Sequence, residues 1–153
     1  MSIITLVLLL YVLLYFVLAG QAVFYKLCFS QVFKKIPAQH FINIRKLADP
    51  ILETRLPVIY YCSLAFGITY IILAVYYGSA LTITLAALAY IFLLADVILA
   101  KKYNIPINAE IRNLVNPSDL AAARLQHDWI RWIDIRGNFI LAGFFVLIID
   151  TVL

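Results

Sequence analysis

The chain has 153 residues, of which 65% are hydrophobic and 13% charged, and a formal net charge of +4. That length holds one domain, and the composition is far from a soluble domain's, where about a quarter of residues are charged. It therefore excludes a water-soluble globular protein and reads as a single integral membrane domain over residues 1–153. Cys28 and Cys62 lie in or beside apolar runs with neither CxxC nor metal-type spacing, which argues against a redox couple or a zinc site and for simple packing.

The first run, residues 3–24, carries no charge and is long enough for a span, since about 20 apolar residues cross the hydrocarbon core. No basic residue precedes it and it exceeds a signal h-region, so it is read as helix 1, continuing past Gln21 toward Val32. Residues 34–56 are too polar to span. Phe41, Ile44, Leu47, Ala48 and Ile51 share a helical face with Asn43, Lys46, Asp49 and Glu53 away from it, which predicts an amphipathic helix in the interface or under the bundle. Pro37 starts that helix, and Pro50 is expected to break or kink it because proline lacks the amide donor.

Residues 57–77 form the second span, with Tyr60/Tyr61 and Tyr76/Tyr77 near its ends, where amphipathic rings prefer to sit. Gly78 and Ser79 make a tight turn into the third span, residues 80–100, interrupted by Asp96. The polar segment 101–131 follows, with a turn and helix N-cap at Asn116, Pro117, Ser118 and Asp119 and a helix from about Leu120. Residues 132–153 form the fourth span. All twelve Lys and Arg residues fall in or beside the two polar segments and none in the turn between spans two and three. The positive-inside rule then predicts both polar segments in the cytoplasm and both termini outside, in an inner membrane. The predicted fold class is all-α, a four-helix transmembrane bundle with an amphipathic cytoplasmic-side helix between helices 1 and 2.

Polar groups within the spans agree in depth. Gln21, Tyr60, Asp96, Asp134 and Arg136 all lie within roughly two turns of one boundary. On the last helix Leu125, Trp129, Trp132, Arg136 and Gly143 share a face, with His127, Arg131, Asp134 and Asn138 opposite. An arginine facing lipid costs at least about 2.5 to 3.5 kcal/mol, so Arg136 is expected to turn inward and pair with Asp96, with Gln21 and a tyrosine hydroxyl as further partners. A structural lock or snorkelling anchor is the competing reading of such a pair. His40 and His127 lack metal-ligand spacing, Asp150 reads as a hydrated acid near the chain end, and no phosphate loop, nucleophile elbow, metal motif or nucleic-acid patch occurs.

The motifs YNIPIN (Tyr103 to Asn108) and WIRWIDIR (Trp129 to Arg136) resemble those of the anthrone-oxygenase-like family of small four-span membrane proteins, over nearly the whole length. The resemblance points to Pro106, Asn108, Trp129 and Arg136, with Ile133 and Asp134 where the family often carries Asn or His ahead of the arginine. It implies cofactor-independent oxidation of a polycyclic anthrone to an anthraquinone by dioxygen.

Two functional classes result. In the first, the polar layer binds a flat hydrophobic molecule of quinone or anthrone type. Arg136 holds an oxyanion, Asp96 or Asp134 moves a proton, and Gln21, Tyr60, Pro106, Asn108, Trp129 and Trp132 line the ligand, with no metal or cofactor. In the second, the chain is a non-catalytic accessory subunit whose lipid-facing helices bind membrane-protein partners or further copies of itself. Neither reading involves nucleic acid.

Overall fold

The computed structural model describes residues 2–153, which form four helical rods and, among the described residues, no strand. The first rod joins α1 (Ile3–Phe24) to α2 (Ser30–Lys35) through a π-helical turn at Tyr25–Phe29. The second is α3 (Ala38–Tyr77), and the third joins α4 (Ala80–Leu99) to α5 (Ile105–Asn113) through a π-helical turn at Ala100–Asn104. The fourth is α6 (Asp119–Val152). All four are long and apolar enough to cross a membrane, and the chain is an all-α, four-helix integral membrane protein.

The rods hold 33, 40, 34 and 34 residues, hence roughly 50 to 60 Å each at 1.5 Å per residue. The hydrocarbon core is about 30 Å thick, so each rod has a spanning half and an extension beyond it. Every extension projects from the same end, the one carrying the basic residues. At the opposite end the second and third rods meet in the two-residue turn at Gly78 and Ser79, where the Ser79 hydroxyl accepts the Thr82 amide at 3.1 Å. At the basic end the Ser118 hydroxyl caps α6 by accepting the Ala121 amide at 3.3 Å, as the Asn-Pro-Ser-Asp run predicts. Asn116 beside it takes a positive φ of 48°, a conformation its short polar side chain tolerates.

Three expectations are corrected here. Pro50 does not break the chain, and segment 34–56 is no separate interfacial helix from Ala38 onward: α3 runs through Pro50 and Pro57 without interruption. Pro50 lies on an exposed face of the rod, away from both cores, where a lost helix hydrogen bond costs least. The predicted apolar face of this segment holds only at Phe41. Phe41 and Ile42 are buried together with Arg45 and Asp49, while Ile44, Leu47 and Ile51 point outward. The third rod also runs on through Pro106. The Ile105 amide reaches back five residues to the Ala100 carbonyl, so the helix changes register just before a residue that has no amide to offer.

Two cores hold the molecule. The first lies among the spanning halves and includes Tyr11, Tyr15, Leu18, Tyr70, Ala89, Leu93, Ile140 and Leu147. Lipid tails are as apolar as leucine, so close packing and buried hydrogen bonds hold this core. A Cβ at Gly67 would strike Tyr11 and Tyr90, and one at Gly143 would overlap the Tyr15 hydroxyl, which donates to the Ala89 carbonyl at 3.2 Å. Asp150 is not the hydrated acid expected: it is 9% exposed and accepts the Tyr70 hydroxyl at 2.5 Å.

The second core lies among the extensions and includes Phe33, Phe41, Ile111, Leu125 and Trp129. Beyond the bilayer the hydrophobic effect operates, worth about 1.5 to 3 kcal/mol for each large side chain buried. Phe33, Phe41 and Trp129 meet edge to face with ring centroids 5.2 to 5.6 Å apart. Around the bundle, α1 sits beside α3 and α6, and α4 closes the ring between them.

Candidate functional site

Between the two cores lies a cavity of about 240 Å³ whose wall takes residues from all four rods. Leu18, Leu64 and Ile140 belong to its spanning side, and Tyr25, Trp129 and Ile133 to its extension side. The remaining wall mixes aliphatic residues, Ala22, Leu52, Leu56, Val97, Ala100 and Ile105, with polar ones, among them Gln21, Glu53, Tyr61 and Lys101. The polar groups gathered around Arg136 define the site.

Arg136 is the centre. Its side chain is 14% exposed, and Nε and one terminal nitrogen bind the two oxygens of Asp96 at 2.8 and 3.3 Å, a bidentate fork. That same nitrogen reaches the Tyr60 hydroxyl at 3.3 Å, and the other donates to the Asn104 Oδ1 at 3.2 Å. A guanidinium has five N–H donors, and these contacts use four. The second and third rods thus converge on the group carried by the fourth, and the cost of holding a cation here is offset by a carboxylate at hydrogen-bonding distance.

Asn104 was not legible as a site residue, and the local backbone explains why. It stands eight residues beyond Asp96, which in a regular α-helix would displace it by about 80° around the axis. The wider turn at Ala100–Asn104 takes up an extra residue and rolls Asn104 back beneath Asp96, so both reach Arg136.

A second polar group borders the cavity on the extension side. Arg45 and Asp49 form a buried ion pair one turn apart on α3, at 4% and 0% exposure, and the Arg45 guanidinium lies 4.3 Å from the centroid of the Trp129 ring. The Trp129 indole donates to the Asn108 Oδ1 at 3.0 Å, which fixes the ring as the floor of the cavity. Burial pushes the Asp49 carboxyl above its ordinary range, with Arg45 pulling against it. Nearby, the hydrogen bond that Arg112 donates to the Glu53 carboxylate raises the guanidinium above its ordinary value. Arg45 Nε, Asp49 Oδ2 and Asn104 Nδ2 are buried without a hydrogen-bond partner within the protein.

Of the residues expected from sequence, Arg136, Asp96, Tyr60, Gln21, Asn108 and Trp129 all line this one cavity. Gln21 stands in the wall without joining the Arg136 contacts, and Asn108 serves Trp129 rather than Arg136. Three others lie elsewhere. Asp134, two residues from Arg136 and so on the far side of α6, accepts from the Ser30 hydroxyl at 2.9 Å and pairs with Lys34 at 3.5 Å, which removes it as a proton carrier for the cavity. Trp132 stacks on Tyr103, centroids 3.5 Å apart and planes within 6°, with Arg131 and Lys102 over the two rings. Pro106 is exposed on the outside of α5.

Chemically, the site presents two neutralised ion pairs, one uncommitted N–H of Arg136 and the Tyr60 hydroxyl inside an aliphatic and aromatic wall. Such a set polarises a neutral oxygen acceptor and has no surplus buried charge with which to hold a phosphate or carboxylate. Among the described residues no His, Cys, Asp and Glu side chains cluster as metal ligands. Comparison of the chain with protein-family models, with curated proteins and with solved structures finds no match.

Proposed function

We propose that the protein binds a flat, neutral, oxygen-bearing hydrophobic molecule of the quinone or anthrone type, its carbonyl or phenolic oxygen directed at Arg136 and Tyr60. We propose further that the basic end faces the cytoplasm from an inner membrane, since all twelve Lys and Arg residues gather there or beside it. The carrying observation is a guanidinium locked by Asp96, Asn104 and Tyr60, with one N–H to spare, in a cavity that all four rods enclose. Aliphatic walls strengthen that remaining donor by keeping water out. The acid beside Arg136, Asp96, has both oxygens engaged by it, which makes binding and polarisation of the ligand a better-supported role than proton abstraction. If the ligand is an anthrone, its carbonyl oxygen accepts from the Arg136 and Tyr60 donors, which are arranged to hold the negative charge that the enolate form carries there. The resemblance of the YNIPIN and WIRWIDIR motifs to anthrone-oxygenase-like proteins supports this ligand class.

Trp129 gives a built-in reporter. In a Trp132→Phe background, titration with a naphthoquinone should quench Trp129 fluorescence saturably, and Tyr60→Phe or Arg136→Lys should weaken binding about tenfold, some 1.4 kcal/mol. Quenching that never saturates, or that is the same in all three proteins, would refute the proposal.

A second reading rests on a different surface. Ile44, Leu47 and Ile51 form an outward apolar stripe on the α3 extension, 41%, 77% and 59% exposed. As an accessory subunit the chain would seat a partner helix there. Leu47→Lys would then strip a stoichiometric partner from gently solubilised membranes while leaving the chain folded, and a chain that runs alone before the substitution rules that role out.

A further inference from the structure

Given the ligand-binding reading of the cavity, we infer that its ligand is an amphiphile: a ring system seated against Arg136 with a hydrocarbon tail that leaves sideways, between α3 and the third rod, into the bilayer. The cavity wall is buried or half-buried at every position but four, Glu53 and Tyr61 on α3 and Lys101 and Ile105 on the third rod. The mouth therefore lies on one seam, with Tyr61 66% and Ile105 49% exposed. On the extension side Trp129 and Arg45 close the cavity at 1% and 4% exposure, and on the spanning side Leu18 and Ile140 close it at 2% each.

Depth decides what medium the mouth meets. Tyr61 is 17 residues along α3 from Gly78, about 26 Å from the turn end, and Lys101 is 22 residues from Ser79, about 33 Å. With about 30 Å of hydrocarbon, the opening begins inside the edge of the apolar layer at Tyr61 and runs outward through the headgroup region past Lys101, with Glu53 and Ile105 about 38 and 39 Å from the turn end. Its Tyr61 side therefore opens to the leaflet, and a solute held in the bilayer reaches the cavity from there. Size sets the other limit. Pockets that take whole drug-sized ligands measure about 300 to 1,000 Å³, and one of about 240 Å³ holds a fused or substituted ring but no long chain besides. A ligand that dissolves in the leaflet and exceeds the cavity must leave its tail in the mouth, and a prenylated or alkylated quinone has that form.

The test uses the intact protein in lipid nanodiscs and two photoprobes built on one alkyl naphthoquinone. The first carries a diazirine on the ring and the second a diazirine on the tail carbons nearest the ring. Mass spectrometry should find the ring probe on the cavity wall, around residues 129–140, and the tail probe on residues 56–61 or 101–105. A tail-free naphthoquinone should compete at least tenfold more weakly. Ring labelling in the cavity with tail labelling on the 114–118 loop, on α1, or nowhere on the α3 seam would overturn the amphiphile inference while leaving the binding site standing. Ring labelling outside the cavity would overturn both.

Discussion

Asp96 and Arg136 are each tolerable only because of the other. The Asp96 side chain is 1% exposed and that of Arg136 14%, so Asp96→Ala leaves a guanidinium in an apolar wall with its counter-charge gone. Breaking a buried pair from one side costs about 3 to 5 kcal/mol, and replacing both partners costs far less. Thermal unfolding in detergent should therefore show Asp96→Ala strongly destabilised and the double variant Asp96→Ala/Arg136→Leu largely restored. Asp49 answers to pH instead. Burial raises its carboxyl above the ordinary 3.8, so the folded protein holds that proton more tightly than the unfolded chain. The resulting penalty is absent below the unfolded value and grows as pH rises past it toward the folded one. The melting temperature of the native protein minus that of Asp49→Asn should accordingly fall as pH is raised from about 3.8 upward. A flat difference across that range would show that the carboxyl titrates normally.

The π-helical turns are where the elements depart from regularity, and both border the cavity through Tyr25, Ala100 and Asn104. Deleting Lys102 should let the third rod close into a regular α-helix. Asn104 would then rotate away from Arg136, and quinone binding should drop about tenfold, the equivalent of 1.4 kcal/mol, with helical content by circular dichroism unchanged. These turns also mark what could and could not be seen beforehand. The Arg136–Asp96 pair was legible because a lone charge at that depth is too costly to leave unpaired, and the spans were legible because hydrocarbon thickness dictates their length. Asn104 was hidden because one extra residue in a turn changes which side chains share a face, and a fixed helical period has no symbol for that. Pro50 misled because a proline's effect depends on whether its face of the helix is wet. Arg45 and Asp49 misled for a related reason: a periodicity argument sends charges outward, whereas here one turn of helix pairs them and Trp129 covers them.

At the scale of the whole molecule, the two cores respond to different solvents, one to lipid and the other to water, with the cavity at their junction. Sidedness can be read directly. With Cys28 and Cys62 replaced by serine, a membrane-impermeant maleimide should label Asn116→Cys only from the cytoplasmic face and Ser79→Cys only from the opposite one. Labelling of both from one face would overturn the four-span topology.

The uninterrupted course of α3 from one core into the other makes it a lever, and Pro57, whose ring interrupts the bond ladder inside the cavity wall, is its natural fulcrum. Ala38 stands 19 residues away, so a tilt of about 10° at Pro57 sweeps the far tip through about 5 Å and Arg45 through about 3 Å, while Leu64 shifts by less than about 2 Å. A tilt of that kind would be geared, widening the Arg45 end of the chamber while the Arg136 clasp stayed nearly still.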